Sequence, residues 1–128
     1  MIVTIGIGCK RGASSNEVLE LVRATLAKAR VAPGSVGCIA TLDRKEGEAA
    51  IDTVATALGV PVRFFSATEL AAETRIAHPS ESVAEAIDTP SVAEAAALLA
   101  AGSGAKLIVP KRKSARATCA IAATGDTP

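Results

Sequence analysis

The chain has 128 residues, 49% of them hydrophobic and 21% charged, with a formal net charge of +1. That length holds one domain around one core, and the balance is that of a globular protein rather than a disordered or membrane-embedded one. The only aromatic residues are the neighbours Phe64 and Phe65. So small a supply leaves almost nothing to stack on nucleic-acid bases and predicts a core of small aliphatic side chains.

Ile2 to Ile7 is a short β-branched run closed by glycine, which predicts a buried strand. A glycine loop, Gly8–Gly12, follows. Ser14 and Glu17 have capping-box spacing, in which the Ser14 oxygen takes an amide proton and Glu17 reaches back. Leu19, Val22, Leu26 and Ala29 recur at helical spacing and predict the inward face of a first helix. Pro33-Gly34 breaks the chain. Val36 to Leu42 reads as a second strand, and Asp43–Gly47 as a charged loop. A helix follows with Ile51, Val54, Ala55 and Leu58 inward, stopped by Gly59. Pro61 opens a third strand, Val62–Phe65, and Ser66 with Glu69 repeat the capping-box spacing at the start of a short helix.

Thr74 to His78 reads as a loop, because Pro79 disfavours helix at the residue before it. The segment Ser82-Val83-Ala84-Glu85-Ala86 recurs as Ser91-Val92-Ala93-Glu94-Ala95. Both copies fit capped helix starts, with Pro90 favourable at a first helical position; Glu94 is accounted for by its capping box. The second helix runs through Leu98 and Leu99 to Gly102. Leu107-Ile108-Val109 is a fourth strand, Pro110–Arg116 a basic loop, and Thr118–Ala122 a fifth strand. The short spacing between the last two fits an antiparallel hairpin, since a parallel return needs a longer crossover.

Strands alternating with helices imply a single three-layer α/β domain over residues 1–123. Its sheet is mainly parallel with helices on both faces and a C-terminal antiparallel hairpin. Strand order is not readable, and residues 124–128 are expected to form a flexible tail. The cysteines Cys9, Cys38 and Cys119 are far apart and form no CxxC pair, so neither a zinc ribbon nor a redox dithiol is signalled. The N-terminal run lacks the features of a signal peptide, and no apolar stretch has membrane-spanning length. A cytoplasmic protein with reduced thiols is expected.

In open α/β sheets ligands gather at the carboxyl ends of the strands. The loops expected there carry Lys10 and Arg11, then Lys45 and Glu48, then Lys111, Arg112 and Lys113, a cationic rim that suits a polyanion. Charge is unevenly spread: from Ala95 to Gly125 there is no acid, and the alternative reading of such a run is a solvated face. The pattern Gly6-x-Gly8-x-x-x-Gly12 is one residue too long for a dinucleotide fingerprint, and no Gly-Lys-Ser/Thr occurs for a P-loop. What remains is a glycine loop before a helix start, which favours an anion or is simply a tight turn. Cys9 lies beside Lys10, Arg11 and that helix start, a setting that suits a nucleophile; the other reading is a buried structural cysteine. Glu48 is either a general base or a partner of a helix dipole. His78 is the sole histidine, so no His-based metal site or His/Asp pair can form around it, and no cofactor or metal is expected.

Several segments in order carry a family resemblance: Gly6-Ile7-Gly8-Cys9-Lys10-Arg11-Gly12; Ala40-Thr41 with Lys45 and Glu48; Phe65 with Glu69-Leu70; Pro79-Ser80-Glu81; Ser91 through Leu98; and Val109-Pro110-Lys111-Arg112-Lys113 leading to Thr118. Together they resemble the CobE/CbiG C-terminal domain family of cobalamin (vitamin B12) biosynthesis, over Ile2 to about Ala122, and within it the free-standing form. The resemblance implies an α/β fold and a ligand. Corrin precursors are flat macrocycles fringed with carboxylates, which Gly8, Cys9, Lys10, Arg11, Lys45, Glu48, Lys111, Arg112 and Lys113 would bind, Arg bidentately and Lys as a point charge. It implies a carrier or accessory factor for a precorrin-type tetrapyrrole in the aerobic pathway, with other enzymes of that pathway as further partners and neither nucleic acid nor membrane. Full-length family members open a ring-C lactone and release acetaldehyde. An enzyme acting on the same intermediate by lactone opening, deacylation or rearrangement is therefore the alternative, with Glu48 or Cys9 the first residues to test.

Overall fold

Val3, Ile5 and Ile7 alternate with Thr4, Gly6 and Gly8 in a strand that must hide both faces, and this alternation sets the middle of the sheet. The structure, a computed structural model, describes residues 2–43, 48–72, 90–102 and 104–124. In chain order the elements are β1 (Val3–Cys9), α1 (Ser15–Ala29), β2 (Val36–Leu42), α2 (Ala49–Leu58), β3 (Val62–Phe65), α3 (Ala67–Ala71), α4 (Pro90–Ala101), β4 (Ala105–Lys113) and β5 (Ala117–Thr124). The five strands form one sheet in the order β3-β2-β1-β5-β4. β1, β2 and β3 pair in parallel, whereas β5 runs antiparallel to both β1 and β4.

Each face of the sheet has its own packing chemistry. Val3, Ile5 and Ile7 join Ile39, Cys119 and Ile121 beneath α1 and α2, a layer of branched side chains. On the opposite face α4 approaches so closely that a Cβ at Gly6 would stand 1.8 Å from the Ala93 carbonyl oxygen. The Thr4 hydroxyl donates to the Ala97 carbonyl at 2.7 Å, fastening the same contact. Alanine dominates α4 for this reason: Ala93, Ala95, Ala96 and Ala97 are all fully buried, and larger side chains would hold the backbones apart. Leu42, Phe65, Leu70 and Val92 close the core at the β2–β3 side.

The expected three layers, the hairpin and the spans of β2 and β3 are present. Gly59 caps α2 at φ 69°, and Ser66 and Glu69 form both bonds of their capping box. Several boundaries and faces differ from the sequence reading. The inward face of α1 centres on Val18, Leu21, Val22, Thr25 and Leu26, with Leu19 and Ala29 only partly covered, because α1 packs against both α2 and the β5–β4 side. β1 continues through Gly8 and Cys9 instead of turning at Gly8, since β5 pairs with it that far. β4 takes in Pro110 and the three basic residues after it. It is an edge strand, where a missing proline N–H and solvated cations are tolerated.

Two acids expected to close capping boxes have gone elsewhere. Ser14 does accept from the Glu17 amide, but the Glu17 carboxylate serves another segment. Glu94 is fully buried, and its Oε2 accepts the Lys111 amide at 3.0 Å. The β4–β5 register is irregular between Val109 and Arg112, which releases that amide from the ladder. The Thr74–His78 loop, the first copy of the repeat at Ser82–Ala86 and the tail after Thr124 lie outside the described residues.

Candidate functional site

Parallel β1 and β2, and β4 alongside them, end at one edge of the sheet. There the backbone of the first loop meets the tip of the C-terminal hairpin. The Lys10 amide donates to the Arg116 carbonyl at 2.9 Å, and the Thr118 hydroxyl donates to the Gly8 carbonyl at 3.3 Å. Between them lies a cleft of about 210 Å³ lined by Gly8, Cys9 and Lys10 on one side and Lys113 to Thr118 on the other. Lys10, Lys113 and Arg116 are exposed around it, so three cations share one small opening.

Two carboxylates hold this edge in shape. Glu17, in the first turn of α1, accepts from the Ser114 hydroxyl and from the Arg116 amide, the latter at 2.6 Å. Those two bonds, the hydroxyl first, hold its carboxyl below the usual value of 4.5, with the Arg116 charge adding to them and partial burial opposing. Glu48 accepts the Gly12 amide at 3.2 Å and so ties the start of α2 to the first loop. Gly12 itself is left-handed at φ 76°, a conformation that favours glycine over a side-chain-bearing residue.

The residues expected to line a shared site divide into three groups. Gly8, Cys9, Lys10 and Lys113 line the cleft. Arg11 is exposed on the turn beyond it, Glu48 is engaged with Gly12, and Lys111 and Arg112 stand further down β4, both half-buried. Lys45 lies outside the described residues. Cys9 is not a loop residue at all: it closes β1 at 3% exposure, which removes the accessibility expected of a nucleophile. Arg112 pairs across the hairpin with Cys119, and its Nε is buried without a hydrogen bond.

Sequence reasoning placed the basic segment Pro110–Arg116 at the same sheet edge as Gly8–Gly12, but it missed Glu17 as a working part and did not single out Ser114, Ala115 or Arg116 as site residues. The signal for Ser114–Arg116 was their position between two β-prone runs. Nothing local distinguishes an acid that caps its own helix from one that caps a distant loop. Glu94 was missed for the same reason. Its Oε1 is buried with no hydrogen-bond partner, an arrangement a protein interior rarely tolerates. Among the described residues no group of His, Cys, Asp and Glu could hold a metal ion, and no helix is long and apolar enough to cross a membrane.

The cobalamin synthesis G C-terminus family matches residues 3–122 of this chain. The chain belongs to that family. Protein CobE of Sinorhizobium sp is 44% identical over 121 residues, covering 94% of this chain and 79% of that protein. The crystal structure of CobE, a protein from the cobalamin (vitamin B12) biosynthetic pathway, superposes with a TM-score of 0.82 at 35% identity, over 94% of this chain and 89% of that one. A cobalt-precorrin-5A hydrolase from Priestia megaterium is 31% identical over 121 residues, 94% of this chain but 32% of the hydrolase. The CbiG C-terminal fold thus accounts for the chain nearly end to end, and the chain spans about a third of that hydrolase. As a member of the CobE/CbiG C-terminal family, the protein is a cobalamin-biosynthesis protein.

Proposed function

We propose that this protein binds a polycarboxylate precorrin-type intermediate at the carboxyl edge of its sheet and acts as a cytoplasmic carrier or accessory factor in the aerobic pathway. The observation that carries the reading is the meeting of Gly8–Lys10 with Lys113–Thr118 around one cleft, with Lys10, Lys113 and Arg116 exposed at it. Corrin precursors carry acetate and propionate arms, and Lys or Arg bonded to a carboxylate makes a strong, charge-assisted contact. The pathway membership supplies the ligand class. Titration of the protein with metal-free precorrin intermediates, followed by their visible spectra, tests the proposal. Binding that weakens with salt, and about tenfold on Lys113→Ala or Arg116→Ala, is expected. Wild-type protein that leaves the spectra unchanged at micromolar concentration overturns it.

A second reading, an enzyme acting on the same intermediate, draws support from the hydrolase relative. The two residues first proposed for such chemistry, Cys9 and Glu48, are respectively buried and bonded to the Gly12 amide. An intermediate recovered with unchanged mass after prolonged incubation favours the carrier; a change in its mass favours the enzyme.

A further inference from the structure

We infer that the cleft is a socket for one carboxylate-bearing side arm of the ligand, and that the macrocycle stays outside the protein. The inference rests on the tetrapyrrole reading above and specifies which part of such a ligand meets which residues.

Size is the first ground. The cleft holds about 210 Å³, whereas sites that engulf a drug-sized ligand run to about 300–1,000 Å³. A macrocycle with its arms is larger than a drug-sized ligand, so it cannot be enclosed here. An acetate or propionate arm can.

The walls are tied to one another. Lys10 N–H to the Arg116 carbonyl, Ser114 N–H to the Ala117 carbonyl, and Arg116 N–H to Glu17 are all short, and Thr118 is bonded to Gly8. Behind them Cys9 and Ala117 are buried strand residues paired across the sheet. Widening the cleft means breaking this set together.

Chemistry and shape agree. The lining includes small residues, Gly8 and Ala117 within and Ala115 at the exposed opening, which leaves room for a slim arm. The flexible side chains of Lys10, Lys113 and Arg116 surround the opening and can fold onto a carboxylate once it enters. A macrocycle anchored in this way keeps its faces open to another protein.

The test uses two probes on the ¹⁵N-labelled protein: glutarate, a short flexible dicarboxylate that presents an arm-like carboxylate without a ring, and uroporphyrin, a free-base porphyrin with eight carboxylates whose ring current reports where the ring lies. Both are expected to shift the amides of Lys10 and Ser114–Ala117. Saturating glutarate should displace the porphyrin, and Arg116→Ala should weaken both about tenfold while leaving the remaining spectrum intact. Ala115→Phe, which fills the opening from an exposed position, should abolish the glutarate shifts. Ring-current shifts should be confined to the hairpin tip. Porphyrin binding with no glutarate shift and no competition overturns the socket and leaves the binding reading standing. Strong ring-current shifts at Gly8 and Thr118 do the same, since the ring would then be inside. Glutarate binding in the cleft without any porphyrin binding overturns the tetrapyrrole reading instead.

Discussion

The Lys10 amide and the Arg116 carbonyl, 2.9 Å apart, extend the β1–β5 pairing one step past Cys9 and Ala117. With the ladder behind it and the Thr118–Gly8 bond beside it, this backbone bond joins two segments more than a hundred positions apart into one surface. It helps fix where the first loop and the hairpin tip, and so the cations at the cleft, stand relative to each other.

Glu17 should make that surface pH-sensitive. Its folded pKa lies below its ordinary value of 4.5, owing chiefly to the Ser114 hydroxyl and then the Arg116 amide. A depressed carboxyl contributes stability that is fully present above the unfolded value and is lost as pH falls toward the folded one. Protection of the Arg116 amide against hydrogen exchange, measured by NMR relative to its intrinsic rate at each pH, should therefore fall below about pH 4.5. Glu17→Gln should lower that protection at neutral pH and flatten its pH dependence. A protection profile that is the same in both proteins counts against the clamp.

Gly6 is a packing requirement. With a Cβ position 1.8 Å from the Ala93 oxygen, Gly6→Ala must push α4 off the sheet and should cost about 3 kcal/mol or more in urea denaturation. Gly34→Ala is the control: its Cβ meets nothing and its φ is not left-handed. That change should be neutral or stabilising by about 0.4–1 kcal/mol. Similar losses for both would refute the close approach of α4.

Glu94 should report on the irregular stretch of β4. Glu94→Ala removes the acceptor of the half-buried Lys111 amide, a loss of about 1–3 kcal/mol. Glu94→Gln keeps a carbonyl oxygen at the site and should keep the Lys111 amide slow to exchange. Equal exchange rates in the wild type and Glu94→Ala would show that the bond protects nothing.

Cys38 and Cys119 should be inert in the folded state. Burial pushes the Cys119 thiol up to about 12, against smaller opposing effects from a Thr25 hydrogen bond and the Arg112 charge, and burial also raises Cys38. Iodoacetamide at pH 8 should label neither residue until denaturant is added, as read by intact mass. Labelling of Cys119 in native protein would contradict its placement.

Local chemistry explains which parts of the molecule were legible in the sequence. Val36–Leu42 and Val62–Phe65 are apolar runs bounded by breakers, and Ser66 with Glu69 makes both bonds of its capping box, so these elements formed as their residues predict. Glu17 and Glu94 carry the same capping pattern, yet an amide from the distant C-terminal hairpin (Arg116 at its tip, Lys111 in β4) took up each carboxylate instead of its own helix start. Pro110 and its basic followers resemble a loop because composition does not reveal that β4 sits at an edge. The edge that bears the cleft was legible as a glycine-and-cation loop and a second basic segment at one sheet end. Its narrowness was not, since that follows from β5 bridging β1 and β4, a pairing no local period encodes.

That placement of β5 also bears on how the protein is made. β5 is the last of the described strands in sequence but lies inside the sheet, between β1 and β4. While the chain is being synthesised, β1 carries one unpaired side until Ala117–Thr124 has left the ribosome. Only then can the apolar row of Val3, Ile5 and Ile7 acquire its second neighbour. Such long-range closure slows folding and leaves an exposed strand edge in the meantime. The segment that completes the sheet also brings the hairpin tip to Lys10, so the binding edge is assembled in the same event that ends the nascent chain's exposure to misassembly.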